Sequence, residues 1–396
     1  MRRIVVLGNG IAGLTAAESL RDAGFDGELT IVGEEAHAPY SRPALSKAAL
    51  LDDEPSVLRL PESTHGATEL LGVTAHRLDP DRRTVELSDG QTLPYDGLVI
   101  ATGSRARRLT DPLRAEAPEE LTLRALDDMV RLRARLADHP SVLVVGGGPL
   151  GMEIASGAID AGCAVTLVEL GRPLHRHLGT YLSDLIVDAA TLRGLDLRTT
   201  GCVEVRRAGA GVEAVLGDGS VVTADLLVSA VGDLPNLDVL AGSGLLADGQ
   251  LVVDSRGRAA VDGHPRPDIV AAGDVATFAT PTGPRRVPLW TSAIDQARVA
   301  ALALLRGDAA PELAFTPYFW TDQFGLNIRA SGPCPPSGDP KVVDGDPATG
   351  SALLRWDAPA TDPDGSGTAV AVSYRIPVPR LRRLAQQAPA PQPVAG

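Results

Sequence analysis

Short apolar runs closed by glycine alternate with stretches of helical spacing along the first part of the chain. Residues 4–7 (Ile-Val-Val-Leu) are one such run. Gly8-Asn9-Gly10-Ile11-Ala12-Gly13 follows, then a helical stretch to about Ala23 and a second run over 29–32. The order recurs downstream. Val142-Leu143-Val144-Val145 leads into Gly146-Gly147-Gly148-Pro149-Leu150-Gly151, a helix to about Ala161 and a strand over 164–168. Short β-branched runs read as buried strands, and strands alternating with helices build parallel sheets. The pattern therefore predicts an α/β fold with two such units. Shorter strand candidates lie at 84–87 and 97–100, bracketing the turn Ser88-Asp89-Gly90, and at 224–228 and 268–271. The Pro/Gly-rich stretch 332–340 and the polar stretch 361–367 read as loops between short strands, which predicts a small α+β domain at the end. The Ala/Pro/Gln-rich tail 386–396 is expected to be disordered.

Composition narrows the classes. The chain has 396 residues, 44% hydrophobic and 22% charged, a globular balance. No run approaches the length of a membrane span, and the first apolar run leads into a glycine loop rather than a cleavage site, so no signal peptide is read and a cytoplasmic enzyme with no membrane partner is expected. A formal net charge of -13 argues against nucleic-acid binding. Three scattered cysteines, Cys163, Cys202 and Cys334, make no disulfide framework, redox pair or zinc site, and no metal is expected. Lysine occurs only at Lys47 and Lys341.

Each glycine loop follows a strand, opens a helix and has an acidic residue at the end of the next strand. Glu34 stands 21 residues after Gly13, and Glu169 stands 18 after Gly151. Dinucleotide binding needs all three parts. The glycines allow the tight turn and close backbone approach, the helix N-terminus offers free N–H groups to a pyrophosphate, and the carboxylate accepts from ribose hydroxyls. Two loops imply two dinucleotides. Glu169 favours a free 2′-hydroxyl and so NADH over NADPH; Arg172 and Arg176 nearby temper that preference. Glu35 adjoins Glu34 and is an equal candidate for the ribose of the first nucleotide.

Several segments resemble the flavoprotein pyridine-nucleotide oxidoreductases, and within them the oxygenase-coupled ferredoxin reductases. They are Pro39-Tyr40-Ser41-Arg42-Pro43-Ala44-Leu45-Ser46-Lys47, Ala101-Thr102-Gly103, Gly151-Met152-Glu153, Gly232-Asp233-Leu234-Pro235-Asn236, Ala271-Ala272-Gly273-Asp274 and Pro317-Tyr318-Phe319-Trp320-Thr321-Asp322-Gln323. The resemblance covers roughly residues 3–330 well. It implies an FAD domain over 1–110 and 232–315, an inserted NAD(H) domain over 111–231 and a C-terminal α+β domain over 316–385. The two nucleotide domains are then Rossmann-like.

Residue by residue, the resemblance implies that Gly8, Gly10, Ile11, Ala12 and Gly13 cradle FAD. Ala101, Thr102, Gly103, Gly273 and Asp274 serve the same cofactor, with Asp274 accepting from the ribityl chain. Arg42 and Arg124 match positions near its phosphates or ring, and Trp290 a position beside its pyrimidine edge. Gly146, Gly148, Pro149, Leu150, Gly151, Glu169, Arg176 and Gly232 fall to NADH. The catalytic positions implied are Lys47, Glu153 and Trp320. The matching lysine and glutamate lie near the flavin N5 edge, where the lysine stabilises negative charge and the glutamate keeps it from being buried unpaired.

The activity implied is transfer of a hydride from NADH to FAD and of single electrons from FAD to a small [2Fe–2S] or related ferredoxin that serves a monooxygenase or dioxygenase. Arg105, Arg107 and Arg108, or Arg380, Arg382 and Arg383, are the candidate docking cations for an acidic ferredoxin. A monomer or homodimer is expected. No cysteine stands in the Ser41–Lys47 segment, so thiol chemistry is not expected. Departures from the family pattern are Pro149 in the second loop, Pro288, His177 where an arginine is common, and the divergent stretch 331–375. They keep open a second reading, a flavin-dependent oxidase or a biosynthetic oxidoreductase acting on a small organic molecule.

Overall fold

The computed structural model describes residues 1–51, 56–111, 117–279, 283–315, 317–358 and 365–387. The chain divides into two compact units. The first comprises Met1–Ser41, Leu58–Arg105 and Asp233–Phe315; the second comprises Arg42–Val57, Ala106–Gly232 and Thr316–Gly396.

In the first unit the run predicted over 4–7 forms the strand Arg3–Leu7 inside an eight-stranded sheet, hydrogen-bonded in parallel to Glu28–Gly33 on one side and Gly97–Ile100 on the other. A strand flanked on both sides and covered on both faces must be apolar throughout. Ile4 and Val6 face a layer of Ala16, Ala17 and Leu20 from helix Ile11–Asp22 and Ala297, Ala300 and Ala301 from helix Trp290–Arg306. The small alanines let the two helices pack closely together. Val5 and Leu7 join the opposite core with Leu98, Ile100, Ile269 and Phe278.

The strands at 84–87 and 97–100 exist, yet the turn Ser88–Gly90 does not join them. It leads from Thr84–Leu87 into the three-residue strand Thr92–Pro94, which pairs antiparallel to it, while Gly97–Ile100 departs to the parallel sheet. Thr92–Pro94 holds a single non-proline apolar residue, too little to signal a strand. The run 224–228 likewise divides. Val221–Ala224 is the edge of an antiparallel meander with Cys202–Ala208 and Gly211–Leu216, and Leu226–Ser229 belongs to a parallel sheet.

That parallel sheet is the centre of the second unit. Its order is Asp196–Arg198, Ala164–Val168, Ser141–Val145, Leu226–Ser229 and Glu120–Leu121. Helix Pro149–Asp160 buries Met152, Ile154, Ala155 and Ala158 completely. The same unit contains a five-stranded antiparallel sheet ordered Tyr318–Gln323, Leu326–Ser331, Thr368–Val372, Ser351–Trp356 and Lys341–Asp346, with helix Val378–Gln386 beside it. The fold is thus mixed α/β, with a parallel five-stranded sheet, an eight-stranded sheet that is parallel apart from the antiparallel strand Arg258–Val261, and a C-terminal α+β portion. The proline-rich stretch 332–340 is a connection, as expected. Of the polar loop 361–367, residues 361–364 lie outside the described residues, as do 388–396 of the tail; Gln386 itself ends the last helix. Among the described residues no helix is long and apolar enough to cross a membrane.

Candidate functional site

The two glycine loops share one geometry. Gly8 and Gly146 adopt φ of +112° and +109°. A Cβ on Gly8 would stand 2.1 Å from the carbonyl oxygen of Ala101, and one on Gly146 would stand 2.3 Å from that of Ala230. A Cβ on Gly13 would meet the Gly8 oxygen at 1.9 Å, and one on Gly151 the Gly146 oxygen at 1.8 Å. Only glycine fits at these four places. The helices that follow start at the N-caps Gly10 and Gly148, which have no side chain to cap them, and neither has an acidic residue in its first turn. Uncapped N–H groups at a helix start, with no acidic side chain in the first turn to take them, form an anion site. Both loops therefore fit the pyrophosphate of a dinucleotide. Pro149 opens its helix at a position where a missing N–H costs nothing.

The acidic residues differ. Gly8 N donates to Val32 O, and Gly146 N donates to Val168 O. By this register Gly33, not Glu34, is the counterpart of Glu169, and Glu34 is the counterpart of Leu170. Glu169 closes on its own loop. Its Oε2 accepts from Gly147 N at 2.5 Å and its Oε1 from Leu170 N at 2.9 Å, while Arg176 Nη2 lies 3.7 Å away. A Cβ on Gly147 would crowd this arrangement, standing 3.0 Å from Pro173 and 3.1 Å from the side chain of Glu169. In the first loop Asn9 takes that place and Gly33 makes room for it, a Cβ on Gly33 falling 2.9 Å from the Asn9 side chain. Glu34 is exposed, and Glu35 accepts from the Tyr40 hydroxyl at 2.5 Å. His177, on the surface beside Gly148, is held below the usual imidazole pKa by partial desolvation and by the Arg176 charge, with Glu169 opposing.

Other expected residues of the first unit also gather. Ala101 N donates to Leu7 O, and Thr102 and Asn236 exchange hydrogen bonds of 2.8 and 2.9 Å. Gly273, at φ +83°, abuts Ala12, and its N–H is held by Gln296 Oε1 at 2.7 Å. Asp274 follows it, and Arg286 Nη1 reaches the Asp274 carbonyl at 3.2 Å. Trp290 opens helix Trp290–Arg306. In the second unit Arg42 Nη1 donates to the carbonyl of Arg124 at 3.0 Å, and Gly232 O accepts from Arg107 N at 3.0 Å.

Lys47 and Glu153 form the most buried ion pair among the described residues that involves a lysine. Lys47 Nζ lies 2.8 Å from Glu153 Oε2 and 3.0 Å from the Pro43 carbonyl; the side chains are 12% and 5% exposed. Ser46 Oγ donates to the same oxygen, and Thr321 Oγ1 donates to Oε1 at 2.6 Å. Burial pushes the Glu153 carboxyl up, and the Lys47 charge and these donors pull it back. Glu153, Ser156 and Gly157 share one face of helix Pro149–Asp160. Ser156 Oγ accepts from Phe324 N at 2.7 Å, and the missing Cβ of Gly157 admits Leu50. Trp320 lies on the opposite face of its strand from Thr321, beside Tyr318 at a ring separation of 6.0 Å. Sequence reasoning missed Ser46, Thr321, Gln323 and Ser156. The first three lie inside segments quoted for the family, where Thr321 reads as a variable position.

The sequence profile of the pyridine nucleotide-disulphide oxidoreductases matches residues 2–297. The chain belongs to that family. The ferredoxin–NAD(+) reductase component of a 3-phenylpropionate/cinnamic acid dioxygenase from Photorhabdus laumondii is 34% identical over 83% of each chain. The solved ferredoxin reductase for the CYP199A2 system of Rhodopseudomonas palustris superposes with a TM-score of 0.84 at 30% identity, covering 94% of this chain and 92% of that one. Putidaredoxin reductase in its covalent complex with putidaredoxin gives 0.80 at 28% identity, covering 94% and 89%. The fold and family implied by the quoted segments are thus those found. The chain's three cysteines are free thiols. Burial raises the pKa of Cys163 and Cys202 and pushes Cys334 up to about 11. A thiol held in its neutral form is a poor nucleophile.

Proposed function

We propose that this oxidoreductase is an NADH-dependent ferredoxin reductase, with FAD held by the first glycine loop and NADH by the second. When bound, FAD accepts a hydride from NADH and releases single electrons to a one-electron carrier. The observation that carries the reading is the second loop. Its uncapped helix start and the carboxylate folded onto the loop suit the pyrophosphate and ribose of a nicotinamide nucleotide, in a chain whose relatives are ferredoxin–NAD(+) reductases.

The chain's own residues divide the work. The helix starts behind Gly10 and Gly148 present their uncapped backbone N–H groups to the two pyrophosphates. Glu169 accepts from the adenosine ribose of NADH and disfavours a 2′-phosphate. Lys47 supplies a fixed positive charge for the reduced flavin, and Glu153 is its counter-ion. The acceptor is an acidic ferredoxin of the [2Fe–2S] type. Arg380 and Arg383, exposed beside a cavity of about 280 Å3 lined by Val343, Leu353, Ile376 and Leu384, suit its docking. Arg105 suits it less, being engaged with Asn236 and Asp238.

The test is NADH turnover in air with cytochrome c as terminal acceptor, with and without a panel of small ferredoxins, while hydrogen peroxide is recorded. Turnover that requires a ferredoxin, with little peroxide, supports the reading. Rapid NADH oxidation to peroxide that ignores every ferredoxin rejects it in favour of an oxidase.

A further inference from the structure

The hydrogen bonds around Glu153 have a fixed direction. Gln323 Nε2 lies 2.7 Å from Thr321 Oγ1, and an amide nitrogen can only donate. The Thr321 hydroxyl therefore accepts from Gln323, and its single proton goes to Glu153 Oε1 at 2.6 Å. Turning the Gln323 amide over would set two acceptors, its own oxygen and Glu153 Oε1, against that one proton. On the far oxygen, Lys47 Nζ can also only donate. Lys47 cannot reverse its bond at all, and Thr321 could do so only by turning its hydroxyl proton away from Glu153, whereas Ser46 is not held by a second donor in this way. Lys47 is the charged side chain that bears on Glu153; Ser46 and Thr321 are the neutral groups facing it. Asp322 points to the other face of its strand, where Asn327 holds it. All these groups lie in the second unit, brought together by helix Pro149–Asp160, the segment Ser46–Lys47 and the strand Tyr318–Gln323.

We propose that Gln323 and Thr321 form a one-way hydrogen-bond relay that locks the Glu153 carboxylate onto Lys47, which makes both of them positioning residues for the Lys47 ammonium. Neither touches Lys47, and neither needs to reach a cofactor. Thr321 completes the acceptor role of Glu153, and Gln323 fixes which way the Thr321 hydroxyl turns. The network is built for ionised Glu153, which burial alone would disfavour. The relevance of Lys47 to the flavin rests on the proposed function; the relay itself does not.

The test is a carboxyl titration of the full chain as purified, with 13C-labelled glutamate side chains. The Glu153 signal is the one lost in Glu153→Gln. Thr321→Val keeps the shape and removes the donor, and its Glu153 midpoint should rise by about one pH unit. Thr321→Ser should restore the wild-type midpoint. Gln323→Met keeps the length and removes the amide that fixes the Thr321 hydroxyl, so that hydroxyl can turn to accept from a protonated Glu153 and the midpoint should again rise, by less. If Thr321→Val and Gln323→Met both titrate like wild type, the relay is wrong. Should Thr321→Val not fold, Gln323→Met decides alone. Neither NADH nor ferredoxin enters this measurement, so a protein that shows the shift yet reduces no ferredoxin would keep the relay and lose only the functional reading.

Discussion

The two glycine loops are near copies in backbone and opposites in electrostatics. Their tight contacts agree within a few tenths of an ångström, and both helices they open are 12 residues long. Yet the second loop has a carboxylate folded onto it, and the first keeps its acidic residues apart: Glu34 is exposed and Glu35 is bonded to Tyr40. Asn9 with Gly33 in one loop, and Gly147 with Glu169 in the other, fill the same space from opposite sides. The backbone cradle is the shared part of a dinucleotide site, and the group that reads the ribose is fitted separately.

Breaking either cradle should have the largest effect. Gly13→Ala and Gly151→Ala each press a methyl group into a carbonyl and should lower stability by about 3 kcal/mol or more. They should differ in kind. Gly13→Ala is expected to purify colourless, and Gly151→Ala yellow but without NADH binding; absorbance and NADH titration check this.

Acid should separate the two units next. In the first, Asp268 is buried, which would raise its pKa. The paired bonds from Arg266 at 2.9 Å, with Arg83 at 3.0 Å, outweigh burial and hold it below the usual range. A carboxyl with a lowered folded pKa stabilises above its unfolded value, about 4, and loses that contribution as the pH falls through the lowered value. Glu153 in the second unit has the opposite sign, since burial raises it. Asp268→Asn should therefore cost about 2–3 kcal/mol at neutral pH and flatten the acid limb of the stability curve. Denaturant midpoints from neutral pH down to about 3 would show it.

A smaller effect sharpens the loop comparison directly. Glu169→Gln should weaken NADH about tenfold and narrow the preference over NADPH, whereas Glu34→Gln should change FAD retention by less than about threefold. Isothermal titration of the nucleotides and flavin release curves would separate them. Smallest of all, Arg380→Ala and Arg383→Ala should each cost about 0.5–1 kcal/mol in ferredoxin kcat/KM, with the difference shrinking as salt is raised.

The contrast between the loops marks how far the sequence could be read. Apolar runs, glycine loops and their helices were legible because sterics leave no alternative at Gly8, Gly13, Gly146 and Gly151. The acidic residues were legible only as a pair. Spacings of 21 and 18 residues look like one motif with a longer turn. Two of the three extra residues do lie in the turn after the first helix, but the third reflects Glu34 standing one place further along its strand than Glu169. Register is a hydrogen-bonding fact that spacing does not carry. The Lys47–Glu153 pair was legible from family segments, and it proved to be bonded. Its supports were not, since Ser46, Thr321 and Gln323 are ordinary polar residues until three distant segments are folded together. Thr92–Pro94 was missed for the simpler reason that so short a strand has no periodicity.

The division of labour between the loops is tested most directly by anaerobic titration of the yellow protein with NADH, in the wild type and in Gly151→Ala. The account predicts that one equivalent of NADH bleaches the wild-type flavin, that NADPH does so far less readily, and that Gly151→Ala keeps its flavin spectrum unbleached at the same concentrations. Equal bleaching of Gly151→Ala and wild type would contradict it, because the second loop would then not be where the reductant binds.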